Sequence, residues 1–152
     1  MSDADQRAAV VLLVEDSPAD QIATQRAFKK SRLLNELYIV EDGEQALDFL
    51  YNRGEYEEPE SAPRPDLILL DLNLPRVDGR EVLATIKQDK GLCTIPVVIL
   101  TTSSAEEDVV RSYGLGVNTF VTKPVTMQSF MDTVETLQAY WFQIVILPPN
   151  GT

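Results

Sequence analysis

The sequence predicts an α/β domain built as a doubly wound, five-stranded parallel sheet with helices on both faces. Three observations predict it. Short apolar runs alternate along the chain with segments of helical periodicity, the pattern of strands joined by helical crossovers. The strongest runs, AVVLLV (9–14), DLILLD (66–71) and IPVVILT (95–101), are nearly continuous in aliphatic residues, as strands buried on both faces must be. A chain of 152 residues suits one domain with a sizeable core, here 1–152 with its core over about 8–140.

In order, the first strand (9–14) runs into Glu15 and Asp16. Ser17 as N-cap, Pro18 at the first helical position and Asp20 at the third then start a helix, with Ile22, Ala23 and Ala27 as its expected buried stripe. ELYIVED (36–42) is the second strand, and Gly43 leads into a helix carrying Ala46, Leu47 and Leu50. Residues 52–65, NRGEYEEPESAPRP, combine prolines, a glycine and four glutamates in a long acidic surface loop. The third strand (66–71) ends in a turn set by Pro75 and Gly79, and a helix with Val82, Leu83 and Ile86 on one face follows. After the fourth strand (95–101), Ser103 is the expected cap of a helix with Glu106 at its third position, ended by Gly114 and Gly116. TFVTKP (119–124) is a short fifth strand.

Composition removes whole classes of function. The chain has no histidine, so mechanisms with an intrinsic His base, nucleophile or metal ligand are excluded. The one cysteine, Cys93, has neither a disulfide partner nor a His base, and is read as a small loop or near-core residue without chemistry. A net charge of −11 argues against nucleic acid and suits a hard cation or a basic protein surface. No apolar run reaches the roughly 18 residues of a membrane helix, and the start MSDADQRAAV lacks a secretory leader's basic and apolar regions. A cytoplasmic protein with no membrane contact is the expectation.

Each strong strand ends on a polar group: Glu15 and Asp16, Asp71, Thr101 and Thr102, and Lys123 before Pro124. Open α/β sheets bind ligands outside the carboxyl ends of their strands, so these groups should converge on one crevice. Clustered carboxylates repel one another unless a proton or a cation intervenes, and oxygen ligands favour a hard ion such as Mg²⁺ (or Mn²⁺). Asp16 and Asp71 are the expected side-chain ligands, with the Asn73 carbonyl as a third and Glu15 reaching the ion through water. In such a site Asp71 can attack phosphorus to form an aspartyl phosphate, while Lys123 and the Thr101 hydroxyl face the phosphoryl oxygens.

LLVEDSP, DLILLDLNLPRVDG, IPVVILTT and FVTKP together resemble the receiver domain of two-component response regulators, over roughly residues 8–140. The acidic loop, DLNLPRVDG and the late YW are most similar to the small response regulators paired with bacterial phytochromes. The resemblance implies a flavodoxin-like sheet of strand order 2-1-3-4-5. It implies that Asp71 accepts a phosphoryl group from the phosphohistidine of a sensor histidine kinase, the more specific expectation being a bacteriophytochrome. It also implies that Glu15 and Asp16 form the acidic pair, that Thr101 is the switch hydroxyl, that Lys123 is the site lysine, and that Phe120 is the switch aromatic. Such a protein is a phosphoacceptor rather than an enzyme, with at most slow Mg²⁺-dependent self-phosphorylation and autodephosphorylation. One departure is Thr102, where the family often has Ala or Gly.

The stretch from Val125 to Thr152 is too short for a DNA-binding output domain, so the signal is expected to leave through a protein surface. Met127, Phe130, Val134, Leu137, Trp141 and Ile144 recur at helical spacing and form one apolar face of a last helix. YWFQIVIL (140–147) is apolar all round, which predicts a homodimer interface through the last helix and the tail over about 140–148. Two other readings use the same residues. An aspartyl-phosphate hydrolase of the haloacid dehalogenase type typically carries a second Asp where this chain has Asn73, and a constitutive scaffold would leave the acidic pocket unused.

Overall fold

The computed structural model describes residues 8–31, 34–102, 105–107, 114 and 119–137. Five strands, β1 (Ala9–Val14), β2 (Asn35–Val40), β3 (Leu67–Asp71), β4 (Val97–Thr101) and β5 (Phe120–Thr122), form one sheet in the order β2-β1-β3-β4-β5. Every adjacent pair is parallel. The helices are α1 (Pro18–Lys30), α2 (Gly43–Tyr51), α3 (Gly79–Gln88) and α4 (Met127–Leu137), and residues 105–107 are also helical. The chain winds outward to β2 from one side of β1 and to β3 from the other, so the carboxyl ends of β1 and β3 flank the switch point.

Alternation along the strands supplies two cores. Leu12, Val14, Ile68, Leu70, Val97 and Ile99 turn to one face and pack with Ala46 and Phe49 of α2 and Val82, Leu83 and Ile86 of α3. Ala9, Val11, Leu13, Leu67, Leu69, Val98 and Leu100 turn to the other and meet Ala27 and Phe28 of α1 and Phe130 and Met131 of α4. The rings of Phe28 and Phe130 stack with centroids 3.9 Å apart, joining α1 to α4. With both faces covered, β1, β3 and β4 are buried from end to end, as their unbroken aliphatic runs require.

The local start signals work as expected at α1: Ser17 caps it, its side chain accepting the Asp20 N–H, with Pro18 in the first turn. Its buried face is different. Thr24, Ala27 and Phe28 point inward, and Ile22 is 48 % exposed. At about 100° per residue Ile22 lies on the far side of the helix from Thr24, and the aromatic Phe28 fixed which side faces the sheet. Met127 is likewise exposed, because a side chain in a first helical turn leans past the helix start, while Phe130 and Met131 behind it are buried.

β2 ends at Val40 rather than Asp42, since the Asp42 side chain accepts the Gln45 N–H and caps α2. The acidic loop is not structureless. It contains 3-10 turns at Gly54–Tyr56 and Pro59–Ser61, and left-handed Asn52 donates through Nδ2 to the carbonyls of Tyr56 and Ala62. Tyr56 packs edge-on against Phe49, and Arg64 donates to the Gly91 carbonyl and Thr94. Ser103, Gly116, Trp141, Ile144 and the tail over 140–148 lie outside the described residues, as do the side chains of Val134 and Leu137.

Candidate functional site

The sheet brings Glu15, Asp16, Asp71, Thr101 and Lys123 to one end, from the carboxyl ends of β1, β3 and β4 and the segment after β5. Carboxylate oxygens of Glu15, Asp16 and Asp71 lie within 4.8 Å of one another, close enough to share one cation. Glu15 and Asp71 are buried and Asp16 is exposed, so the cluster opens to solvent on the Asp16 side. Lys123 reaches the same carboxylates. Its Nζ is 2.6 Å from Asp71 Oδ2, 2.8 Å from Glu15 Oε1 and 3.3 Å from Asp20 Oδ2.

Backbone donors orient the carboxylates. Asp71 Oδ1 accepts the Asn73 N–H at 2.9 Å, a short-range turn that stands the carboxylate up at the end of β3. Glu15 Oε2 accepts the Ser17 N–H, and Gln21 Nε2 donates to the Glu15 carbonyl. Glu15 Oε1 has the ammonium nearby yet makes no hydrogen bond of good geometry, so the Lys123–Glu15 contact is chiefly an ion pair. The turn after β3 is packed tightly: a Cβ on Gly79 would lie 2.5 Å from the Asp71 carbonyl oxygen and from Leu72 Cα. A Cβ on Gly43 would meet the Val77 carbonyl more closely still, so the same turn seats directly on the start of α2.

Burial pushes the Glu15 carboxyl up to about 7, helped by the hydrogen bond and charge of Asp71 and opposed by Lys123. Burial disfavours the Lys123 ammonium, but its hydrogen bond to Asp71, its close contact with Glu15 and the charges of both outweigh that and hold it above the ordinary lysine value. Thr101 is wholly buried, and its Oγ1 has no hydrogen-bond partner among the described residues. Buried hydroxyls are nearly always satisfied, so an orphan hydroxyl at the end of β4 points to an absent acceptor. The donor set therefore fits a divalent cation at the carboxylates and an anion between Lys123 and Thr101.

Phe120 is half-buried in β5, register partner of Ile99 in β4, and packs against the core face that includes Ile99. Thr102 is exposed, and its hydroxyl is engaged with Glu106 Oε2 at 2.9 Å, as is its N–H at 3.3 Å. Cys93 is exposed in the loop after α3, away from this end of the sheet. The residue missed from sequence is Asp20. Its place at the third position of a helix accounts for it so completely that only its distance to Lys123, a hundred and three residues away, reveals a second role.

Residues 11–135 match the family model of the response regulator receiver domain. The chain is 49% identical to response regulator Rcp1 of Synechocystis sp. over 148 residues, 97% of this chain and 99% of that relative. The Mn²⁺-bound crystal structure of Rcp1 superposes with a TM-score of 0.69 at 50% identity, covering 92% of this chain and 99% of the other. The bacteriophytochrome response regulator AtBRR superposes with a TM-score of 0.80 at 46% identity, covering 89% and 96%. The phosphorylated cyanobacterial phytochrome response regulator RcpA does so with a TM-score of 0.71 at 44% identity, covering 89% and 94%.

Proposed function

The chain belongs to the response regulator receiver family, signalling proteins of two-component phosphorelays related to the phytochrome response regulators, and we propose that Asp71 is its phosphoacceptor. The observation that carries this is the convergence of a buried carboxylate at a strand end with an ammonium at 2.6 Å and an orphan hydroxyl on the next strand. An Asp71 carboxylate oxygen attacks phosphorus as the P–N bond to the donor imidazole breaks. The bonding pair passes to that nitrogen, which solvent protonates, and Asp71 is left as an acyl phosphate. The Lys123 ammonium leaves Asp71 Oδ2 and donates to a phosphoryl oxygen instead, and Thr101 Oγ1 donates to another.

Glu15 through water, with Asp16, Asp71 and the Asn73 carbonyl, would hold a Mg²⁺ or Mn²⁺ ion. When bound, that ion supplies positive charge against the carboxylates and the phosphoryl oxygens. The Mn²⁺ in the related Rcp1 structure and the acidic cluster of this chain support the assignment. Thr101 and Phe120 form the switch: engagement of Thr101 by phosphate vacates space into which the half-buried ring turns. Asn73, where a hydrolase of the haloacid dehalogenase type typically carries a second acid, argues against sustained hydrolytic turnover and for a protein that works as a switch rather than an enzyme.

The donor is a sensor histidine kinase, and likeness to regulators named for phytochromes supports a bacteriophytochrome in that role. The place of action is the cytoplasm; no described helix is long and apolar enough to cross a membrane. The acidic surface leaves no footing for nucleic acid. The apolar tail from Tyr140 to Leu147 supports a homodimer through the last helix, and truncation after Ala139 should shift the solution mass to that of a monomer. The central test is incubation with acetyl phosphate and Mg²⁺, followed by intact mass. A single phosphate adduct that is absent from Asp71→Asn supports the assignment. An adduct that survives the substitution, or rapid multiple release of phosphate, overturns it.

A further inference from the structure

Lys123 carries three N–H donors, and three carboxylates face them. They are graded from interior to surface: the side chains of Glu15 and Asp71 are 1 % and 5 % exposed, that of Asp20 is 32 %. Asp20 comes from the first turn of α1, held there by its N–H to Ser17 Oγ and by the Thr24 hydroxyl on its own carbonyl. It is the outermost of the three partners and the one not grouped with Glu15, Asp16 and Asp71 around a common point.

We propose that Asp20 is a positioning residue for Lys123, holding its ammonium at the rim of the site when Asp71 releases it. This rests on Asp71 being the phosphoacceptor. Before Asp71 can attack phosphorus, Lys123 must leave Oδ2, its shortest contact. Without Asp20, Glu15 would be its one other ion-pair partner among the described residues, with Asp16 beside it, and the ammonium would be drawn inward, over the carboxylates that face the cation and away from the incoming phosphoryl group. The Asp20 carboxylate balances that pull from outside. It keeps Lys123 where a phosphoryl oxygen arrives rather than over the cation ligands.

The test is a double-mutant cycle of Asp20→Asn and Lys123→Met, read by Mn²⁺ affinity from electron paramagnetic resonance and by the rate of adduct formation with acetyl phosphate. In the native background Asp20→Asn should weaken Mn²⁺ binding and slow the adduct roughly three- to tenfold. In the Lys123→Met background the same change should weaken Mn²⁺ by less than about twofold, the residue of plain charge loss. An equal factor in both backgrounds, or no change in the native one, overturns the proposal, because Asp20 would then act through helix or charge alone. Should Lys123→Met not fold, Asp20→Glu decides. Recovery to within about twofold of the native Mn²⁺ affinity supports a carboxylate acting on Lys123, and loss equal to that of Asp20→Asn overturns it. If the native protein forms no adduct at all, the Asp71 assignment fails, and Mn²⁺ affinity still decides the role of Asp20.

Discussion

The ammonium of Lys123 sits 2.6 Å from Asp71 Oδ2, joining two residues 52 positions apart in a site where both side chains are largely buried. The contact neutralises the Asp71 carboxylate in the resting protein and keeps two neighbouring carboxylates from facing each other uncompensated. Lys123 is thus structural before it is functional.

Lys123→Met should therefore destabilise the metal-free protein. Removing one partner of a buried ionic group leaves the rest unpaired, and with partial solvent access at this site the cost is about 1–3 kcal/mol at pH 8. Saturating Mg²⁺ supplies the missing positive charge and should restore most of it. Urea denaturation with and without Mg²⁺ checks both halves, and equal losses in the two conditions would show that the lysine's charge is not what matters.

Glu15 sets the pH dependence. Its folded-state value is raised to about 7 from an ordinary 4.5, so the folded protein holds a proton that the unfolded chain has released. The metal-free protein should gain stability from this group as pH falls through 7 toward 4.5, the reverse of a salt-bridged carboxylate. Cation binding must displace that proton, so Mg²⁺ affinity should fall by up to about tenfold per pH unit below 7. Titration calorimetry at pH 6 in buffers of different ionisation enthalpy should show proton release that fades by pH 8.5.

Thr101 behaves oppositely to an ordinary buried hydroxyl. With no partner for Oγ1 among the described residues, Thr101→Val removes an unsatisfied polar atom and keeps the shape, so the resting protein should be unchanged or stabilised by about 0.5–1 kcal/mol. Phosphorylation should proceed, but the accompanying change around Phe120 should disappear from the amide spectra of the phosphorylated protein. A loss of resting stability beyond about 1 kcal/mol would mean that the hydroxyl already has a partner.

Gly79 is required by the tightness of the turn rather than by its backbone angles. A methyl group would meet the Asp71 carbonyl oxygen and Leu72 Cα at 2.5 Å, contacts that only backbone movement can relieve. Gly79→Ala should cost about 2 kcal/mol or more by overpacking and slow adduct formation by shifting Asp71, with thermal melting and adduct rate measured together.

Much of this was legible locally. The aliphatic runs of β1, β3 and β4 identify themselves, because burial on both faces leaves no polar position to alternate with. Ser17 and Pro18 announce the start of α1 within a few residues of sequence. Strand ends bearing Glu15, Asp71, Thr101 and Lys123 were likewise readable, since a parallel sheet delivers all its carboxyl ends to one side.

Other features depend on what lies across the fold. Ile22 has the composition of a core residue and is exposed, because Phe28, stacked on Phe130 from the far end of the chain, turned α1 the other way. Residues 52–65 read as a bare loop, yet Asn52, Tyr56 and Arg64 tie them to Phe49 and to the turn after α3. Asp20 gives no sign of its contact with Lys123 beyond a helix-start preference that explains it equally well. Which elements form, and which chemical groups stand at their ends, follow from periodicity and from neighbours in the chain. That Lys123 is shared among Glu15, Asp20 and Asp71, and that the Thr101 hydroxyl finds no partner among the described residues, depends instead on distances between segments that meet once the sheet is complete.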